Sequence, residues 1–117
     1  MNKNILIAED DNDLRDLLSQ ALGSKYAVSD VGNGKNALSL LRIRHFDLLI
    51  TDLEMPYMGG YELSIEVSKE HPSLPMMLIT ANPDGEMYRE KGFIEVFIKP
   101  FELTDLLEKV ERVLSRS

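Results

Sequence analysis

The sequence predicts an α/β domain in which five parallel strands form one open sheet with helices on both faces. Short apolar runs alternate with longer amphipathic segments along the whole chain. Three of the runs are nearly all apolar, as strands are when both sides of a sheet are covered. Parallel neighbours need crossovers of a dozen or more residues, and the segments between the runs can supply them. The expected order is βαβαβαβαβα over 1–117, one domain on the usual prior of roughly 100–200 residues.

Each element has its own signal. "NILIA" (4–8) is the first strand, and Leu14, Leu17, Leu18, Ala21 and Leu22 then repeat at helical spacing, with Asp11 or Asn12 placed to cap. "YAVSDV" (26–31) is the second strand and "GKNALSLLRIR" (34–44) the second helix. "FDLLIT" (46–51) is the third strand. The segment "YELSIEVS" (61–68) alternates like a strand, yet joining "FDLLIT" to a parallel "MMLIT" (76–80) requires a crossover, so 60–71 is expected to be helical. Residues 82–92, "NPDGEMYREKG", are rich in breakers and leave room for only a short helix of about two turns. "IEVFI" (94–98) is the fifth strand, and Leu103, Leu106, Leu107, Val110 and Leu114 define the last helix.

Composition removes several classes of function. The chain has no cysteine, which excludes disulfides, thiolate chemistry and Cys-based zinc sites. A net charge of −7 makes phosphate backbones and anionic lipid poor partners, so direct nucleic acid binding is not expected. The longest apolar runs, about five residues, fall far short of the roughly 20 that span a bilayer. A soluble, cytoplasmic protein is the expectation.

In open α/β sheets the chemistry gathers at the carboxyl ends of the strands, near the point where strand order reverses. Reading those ends gives Glu9 and Asp10, then Asp52, then Thr80, then Lys99. Several carboxylates meeting at one place repel each other, and a hard divalent cation offsets the repulsion; Mg²⁺ suits a few carboxylates plus waters. An ammonium and a hydroxyl opposite are what a phosphoryl group needs. Asp52 can then act as a nucleophile on phosphorus and carry an aspartyl phosphate. Taken singly these features are ordinary, and acids at 11 and 13 fit a helix N-terminus without any ligand.

"ILIAEDDNDLRDLL", "DLLITDLEMPYMGGYEL", "LITA" and "VFIKPF" together resemble the receiver domain of two-component response regulators, whose fold is flavodoxin-like, over nearly the whole chain. The resemblance implies that Glu9 and Asp10 are the metal-binding acid pair and Asp52 the phosphoacceptor and a metal ligand. It makes the backbone carbonyl of Glu54 a further ligand, Thr80 the switch hydroxyl and Lys99 the contact to the phosphoryl group. It assigns Pro56 and Gly60 to the turn into the next helix, expects a cis Lys99-Pro100 bond, and makes Glu54 and Asn82 tune the lifetime of the phosphorylated state. The implied cofactor is Mg²⁺, with Mn²⁺ as an alternative. The implied partners are a sensor histidine kinase or a histidine phosphotransfer protein, then a downstream protein or an output domain absent from this chain. The implied state is a monomer, with dimerisation on phosphorylation left open. Leu14, Arg15, Leu18 and Ser19 lie near the face that would dock the phosphodonor.

Two features depart from the pattern. Val96 stands three residues before Lys99, where receivers commonly carry an aromatic that moves with the switch hydroxyl. The interval from Thr80 to Lys99 is a few residues short, which shortens the fourth helix on the face that such domains use to signal. Two other readings compete. A haloacid-dehalogenase-type phosphatase would want Asp-x-Asp, where this chain has Asp52-Leu53-Glu54, and a flavin protein would want a Ser/Thr/Gly-rich loop, where it has "EDDND". A receiver-like module that binds without being phosphorylated is the third alternative.

Overall fold

The computed structural model describes residues 2–115; Ser117, whose standing as a natural end the sequence left open, lies outside them. The order is β1 (Asn4–Ala8), α1 (Asn12–Gly23), β2 (Ala27–Val31), α2 (Gly34–Ile43), β3 (Leu48–Asp52), α3 (Gly60–Glu70), β4 (Met76–Thr80), a 3₁₀ segment (Gly85–Lys91), β5 (Glu95–Ile98) and α4 (Leu103–Leu114). All strand pairings are parallel, and the sheet order is β2-β1-β3-β4-β5. Order reverses between β1 and β3, so the crevice past their carboxyl ends is where a ligand is expected.

Alternation along the strands sorts the core into two layers. Leu6, Ala8, Leu49, Leu78 and Val96 face α2, α3 and the 3₁₀ segment, meeting Leu38, Leu41, Leu63, Val67 and Phe93. Ile5, Ile7, Ile50, Ile79 and Phe97 face α1 and α4, meeting Leu18, Leu22, Leu106 and Val110. Val96 and Phe97 thus lie on opposite sides of the sheet, and Phe97 takes no part in the layer that Val96 joins.

The alternating segment 61–68 is helical because its buried positions are Gly60, Leu63, Ser64 and Val67, a three-to-four spacing. Tyr61 and Ile65, which made it read as a strand, point outward. Leu17, placed on the apolar stripe of α1, is half exposed, whereas Leu14 is partly buried. The short fourth helix is a seven-residue 3₁₀ segment that ends on Gly92 at φ 104°. Asp84 before it provides no side-chain cap, and at seven residues the run is longer than 3₁₀ turns usually are. Asp11 caps α1 by accepting from the N–H groups of Asp13 and Leu14.

Candidate functional site

Three chain segments set the position of Glu9. Its N–H donates to the Val31 carbonyl at 3.0 Å, its carbonyl accepts from Arg15 Nη1 at 2.9 Å, and its carboxylate Oε2 accepts from the Asp11 N–H at 3.0 Å. The side chain is wholly buried, yet Oε1 receives no hydrogen bond. Lys99 Nζ lies 3.3 Å from that oxygen and offers charge without hydrogen-bond alignment. Asp10, next along, is exposed.

Asp52 is the last residue of β3 and is 6% exposed. Lys99 Nζ donates to its Oδ2 at 3.1 Å, while Oδ1 faces the Glu54 N–H at 3.4 Å. Register places Asp52 beside Ile79 and Thr80 beside Ile98, so Thr80 ends the neighbouring strand, buried, with its Oγ1 accepting from the Asn82 N–H at 3.0 Å. Asn82 Oδ1 in turn accepts from the Asp84 N–H. The Lys99-Pro100 bond is cis, as expected. Pro56 is exposed in the loop after Asp52, and Gly60 starts α3 directly against the Asp52 backbone.

Glu9, Asp10 and Asp52 each offer a carboxylate oxygen within 4.8 Å of the others. Among the described residues no other group of His, Cys, Asp and Glu meets that condition. A donor set of three carboxylates, one with an orphaned buried oxygen, fits a hard divalent cation. Burial, reinforced by the charge of Asp52, raises the Glu9 carboxyl to about 7 against the pull of the Asp11 N–H and Lys99. Burial alone would lower the Lys99 ammonium, but the hydrogen bond and charge of Asp52 and the charge of Glu9 hold it above its ordinary value. The metal-free site is therefore short of positive charge, which is the condition a cation relieves.

This imbalance has a signed consequence for stability. Between 4.5, the ordinary value, and about 7, the folded state holds a proton on Glu9 that the unfolded chain has released. Stability of the metal-free protein falls as pH rises through that window, by at most about 3 kcal/mol at ~1.36 kcal/mol per pH unit. Urea midpoints measured from pH 4.5 to 8 should show the decline without metal, lose it in Glu9→Gln, and show it reduced with Mg²⁺.

A sheet that brings an acid pair, a lone aspartate, a hydroxyl and a lysine to adjacent strand ends defines a domain able to hold a divalent cation beside an acceptor carboxylate. The model of the family described as response regulator receiver domain matches residues 5–111. The chain belongs to that family, the phosphoacceptor switches of two-component systems. It is 40% identical to the response regulator receiver protein CpdR of Brucella abortus over 96% of this chain and 97% of that one. It is 30% identical to the DNA-binding transcriptional regulator NtrC of Salmonella typhimurium over 95% of this chain, which spans 24% of that longer protein. Among solved structures, the response regulator TrrA of Thermotoga maritima, in complex with Mg²⁺-BeF, superposes at a TM-score of 0.84 with 31% identity, covering 95% of this chain and 98% of that one. A CheY-like receiver domain of Methanospirillum hungatei superposes at 0.91 with 28% identity, covering 99% and 96%. No described helix is long and apolar enough to cross a membrane.

The sequence-predicted residues Glu9, Asp10, Asp52 and Lys99 are brought into one cluster, and Thr80 to the next strand end. Sequence reasoning underrated three positions. Arg15 holds the acid loop. Gly34 donates to the Met58 carbonyl at 2.9 Å and pins the loop after Asp52 against α2. Gly85 lies against Thr80, where a Cβ would come 2.5 Å from Thr80 Cγ2. A glycine at the first residue of a helix was the one available signal for Gly34.

Proposed function

We propose that Asp52 takes a phosphoryl group from a phosphohistidine on a partner protein, and that the resulting change in surface alters a further protein contact. An Asp52 carboxylate oxygen attacks phosphorus, the O–P bond forms as the P–N bond breaks, and the electron pair and a proton end on the departing imidazole. Lys99, within hydrogen-bond reach of Asp52 Oδ2, neutralises charge on the transferring group, and the Thr80 hydroxyl donates to one of its oxygens. Glu9, Asp10, Asp52 and the Glu54 carbonyl hold the cation, Mg²⁺ or alternatively Mn²⁺. Bound there, Mg²⁺ supplies further neutralisation of the phosphoryl oxygens. The chain's own residues position and neutralise, which is most of what phosphoryl transfer asks of a protein.

The observation that carries this reading is the buried, hydrogen-bond-orphaned oxygen of Glu9 beside Asp52 and Lys99. We extend the reading to hydrolysis of the aspartyl phosphate at this same site, with Glu54 and Asn82, two residues past Asp52 and Thr80, tuning its lifetime as the resemblance to receiver domains implies. The phosphodonor is a sensor histidine kinase or a histidine phosphotransfer protein in the cytoplasm. The 1–117 domain then signals to a separate protein or to an attached output domain, as a monomer or as a dimer formed on phosphorylation. Pro56, Gly60, Val96 and Pro100 shape the loops and the switch layer. Val96 is buried in the layer beneath the 3₁₀ segment, so Thr80 reports through Gly85 and that segment instead of through an aromatic side chain.

The test is intact mass spectrometry after incubation with Mg²⁺ and a small acyl phosphate. One added phosphoryl group, absent when a chelator is present, is the expected result. Unchanged mass on protein shown to be folded would overturn the reading in favour of a binding module.

A further inference from the structure

The geometry points to Arg15 as a positioning residue for the cation-binding acid loop, a role that rests on the site reading above. Arg15 follows four acids in the chain, Glu9, Asp10, Asp11 and Asp13, and its side chain is 21% exposed. Nη1 donates to the Glu9 carbonyl at 2.9 Å, which fastens the start of the loop to α1, and Nη2 donates at 2.6 Å to Asn12 Oδ1 on the first residue of that helix. Nε faces Asp30 Oδ1 at 3.6 Å, and Asp30 Oδ2 accepts from Ser19 Oγ at 2.6 Å, which orients that carboxylate from the same helix. Gly32 leaves the space, since a Cβ there would lie 3.1 Å from Arg15 Nη1.

The consequence falls on Glu9. Its N–H is held by Val31, its carbonyl by Arg15 and its Oε2 by Asp11, so the free Oε1 is aimed before any ion arrives. A flat fork holds its donors in fixed directions and so fixes the acceptors it joins, whereas an ammonium carries three rotatable donors on a flexible stem and fixes no plane. Charge and positioning act in opposite directions here. As a cation near a cation site, Arg15 repels the ion, so removing it would tighten binding if charge were all it contributed. As a brace, its removal loosens the ligands, and groups that orient metal ligands are typically worth tenfold to a hundredfold in affinity.

The test is calorimetric titration of Mg²⁺ into the metal-free protein, with amide exchange measured before any metal is added. Arg15→Ala and Arg15→Lys are each expected to weaken Mg²⁺ binding by about tenfold, the Lys variant failing to rescue because it keeps the charge and loses the fork. Asp30→Asn, which leaves Arg15 in place, should weaken binding less and in the same direction. In the metal-free variants the Glu9 and Asp11 amides should exchange faster, while Leu49 in the central strand is unchanged. Affinity equal to wild type in both Arg15 variants, or tighter binding in Arg15→Ala, would overturn the assignment. Wild-type protein that binds no Mg²⁺ would instead overturn the site reading and this inference with it.

Discussion

Asp52→Asn gains no phosphoryl group under conditions where the wild-type protein gains one. The substitution keeps the size of the side chain and removes the oxygen anion that attacks phosphorus, so the expected loss is complete within detection. Unfolding would not explain it, because the charge arithmetic favours the variant. In the wild-type protein two carboxylates, Glu9 and Asp52, share the single ammonium of Lys99 at 3.3 and 3.1 Å. With Asn at 52, Glu9 and Lys99 pair one to one, and the charge that helped raise the Glu9 carboxyl is gone. The metal-free variant should therefore be at least as stable as wild type in urea at pH 8. A phosphorylated Asp52→Asn species would place the acceptor elsewhere.

Gly60→Ala should cost about 3 kcal/mol, the upper end for forcing an extra carbon into a packed site, because the obstacle is backbone. A Cβ at 60 would fall far inside 3.0 Å of the Asp52 carbonyl oxygen and also press on Leu53 Cα. Gly60 N–H donates to the Leu53 carbonyl at 2.8 Å, so the clash cannot be relieved by moving α3 without losing that bond. Displacement would act on Asp52 itself, and phosphorylation should slow along with the loss of stability. Gly23→Ala is the matched control, since nothing lies within 4 Å of its would-be Cβ. Equal urea midpoints for the two variants would contradict the packing assigned to Gly60.

Much of this molecule was legible in its sequence for a specific reason. β1, β3 and β4 are buried on both faces and therefore nearly all apolar, and Glu9 and Asp52 stop the first two runs abruptly while Thr80 closes the third, so strand ends and site residues announced each other. α1 and α4 carry stripes at helical spacing, although Leu17 was counted into a stripe it does not bury with. The segment 61–68 was legible only through topology, because two outward apolar residues, Tyr61 and Ile65, imitate strand alternation. The 3₁₀ character of Gly85–Lys91 was not legible as such: breakers predict shortness, while the choice of turn depends on how Gly85 meets Thr80. Arg15 was likewise visible as a residue near the rim but not as a brace, since its partners Glu9, Asn12 and Asp30 come from three different segments.

The central claim is that Glu9, Asp10 and Asp52 are one cation site with Asp52 as its acceptor. A crystal structure of the protein with Mg²⁺ and beryllofluoride tests it most directly. The expected density has beryllium bonded to an Asp52 carboxylate oxygen, Lys99 and Thr80 in contact with its fluorides, and an ion among the three carboxylates at about 2.1 Å from its oxygen ligands. An ion bound away from those residues, or Asp52 left unmodified in crystals saturated with both, would contradict the account.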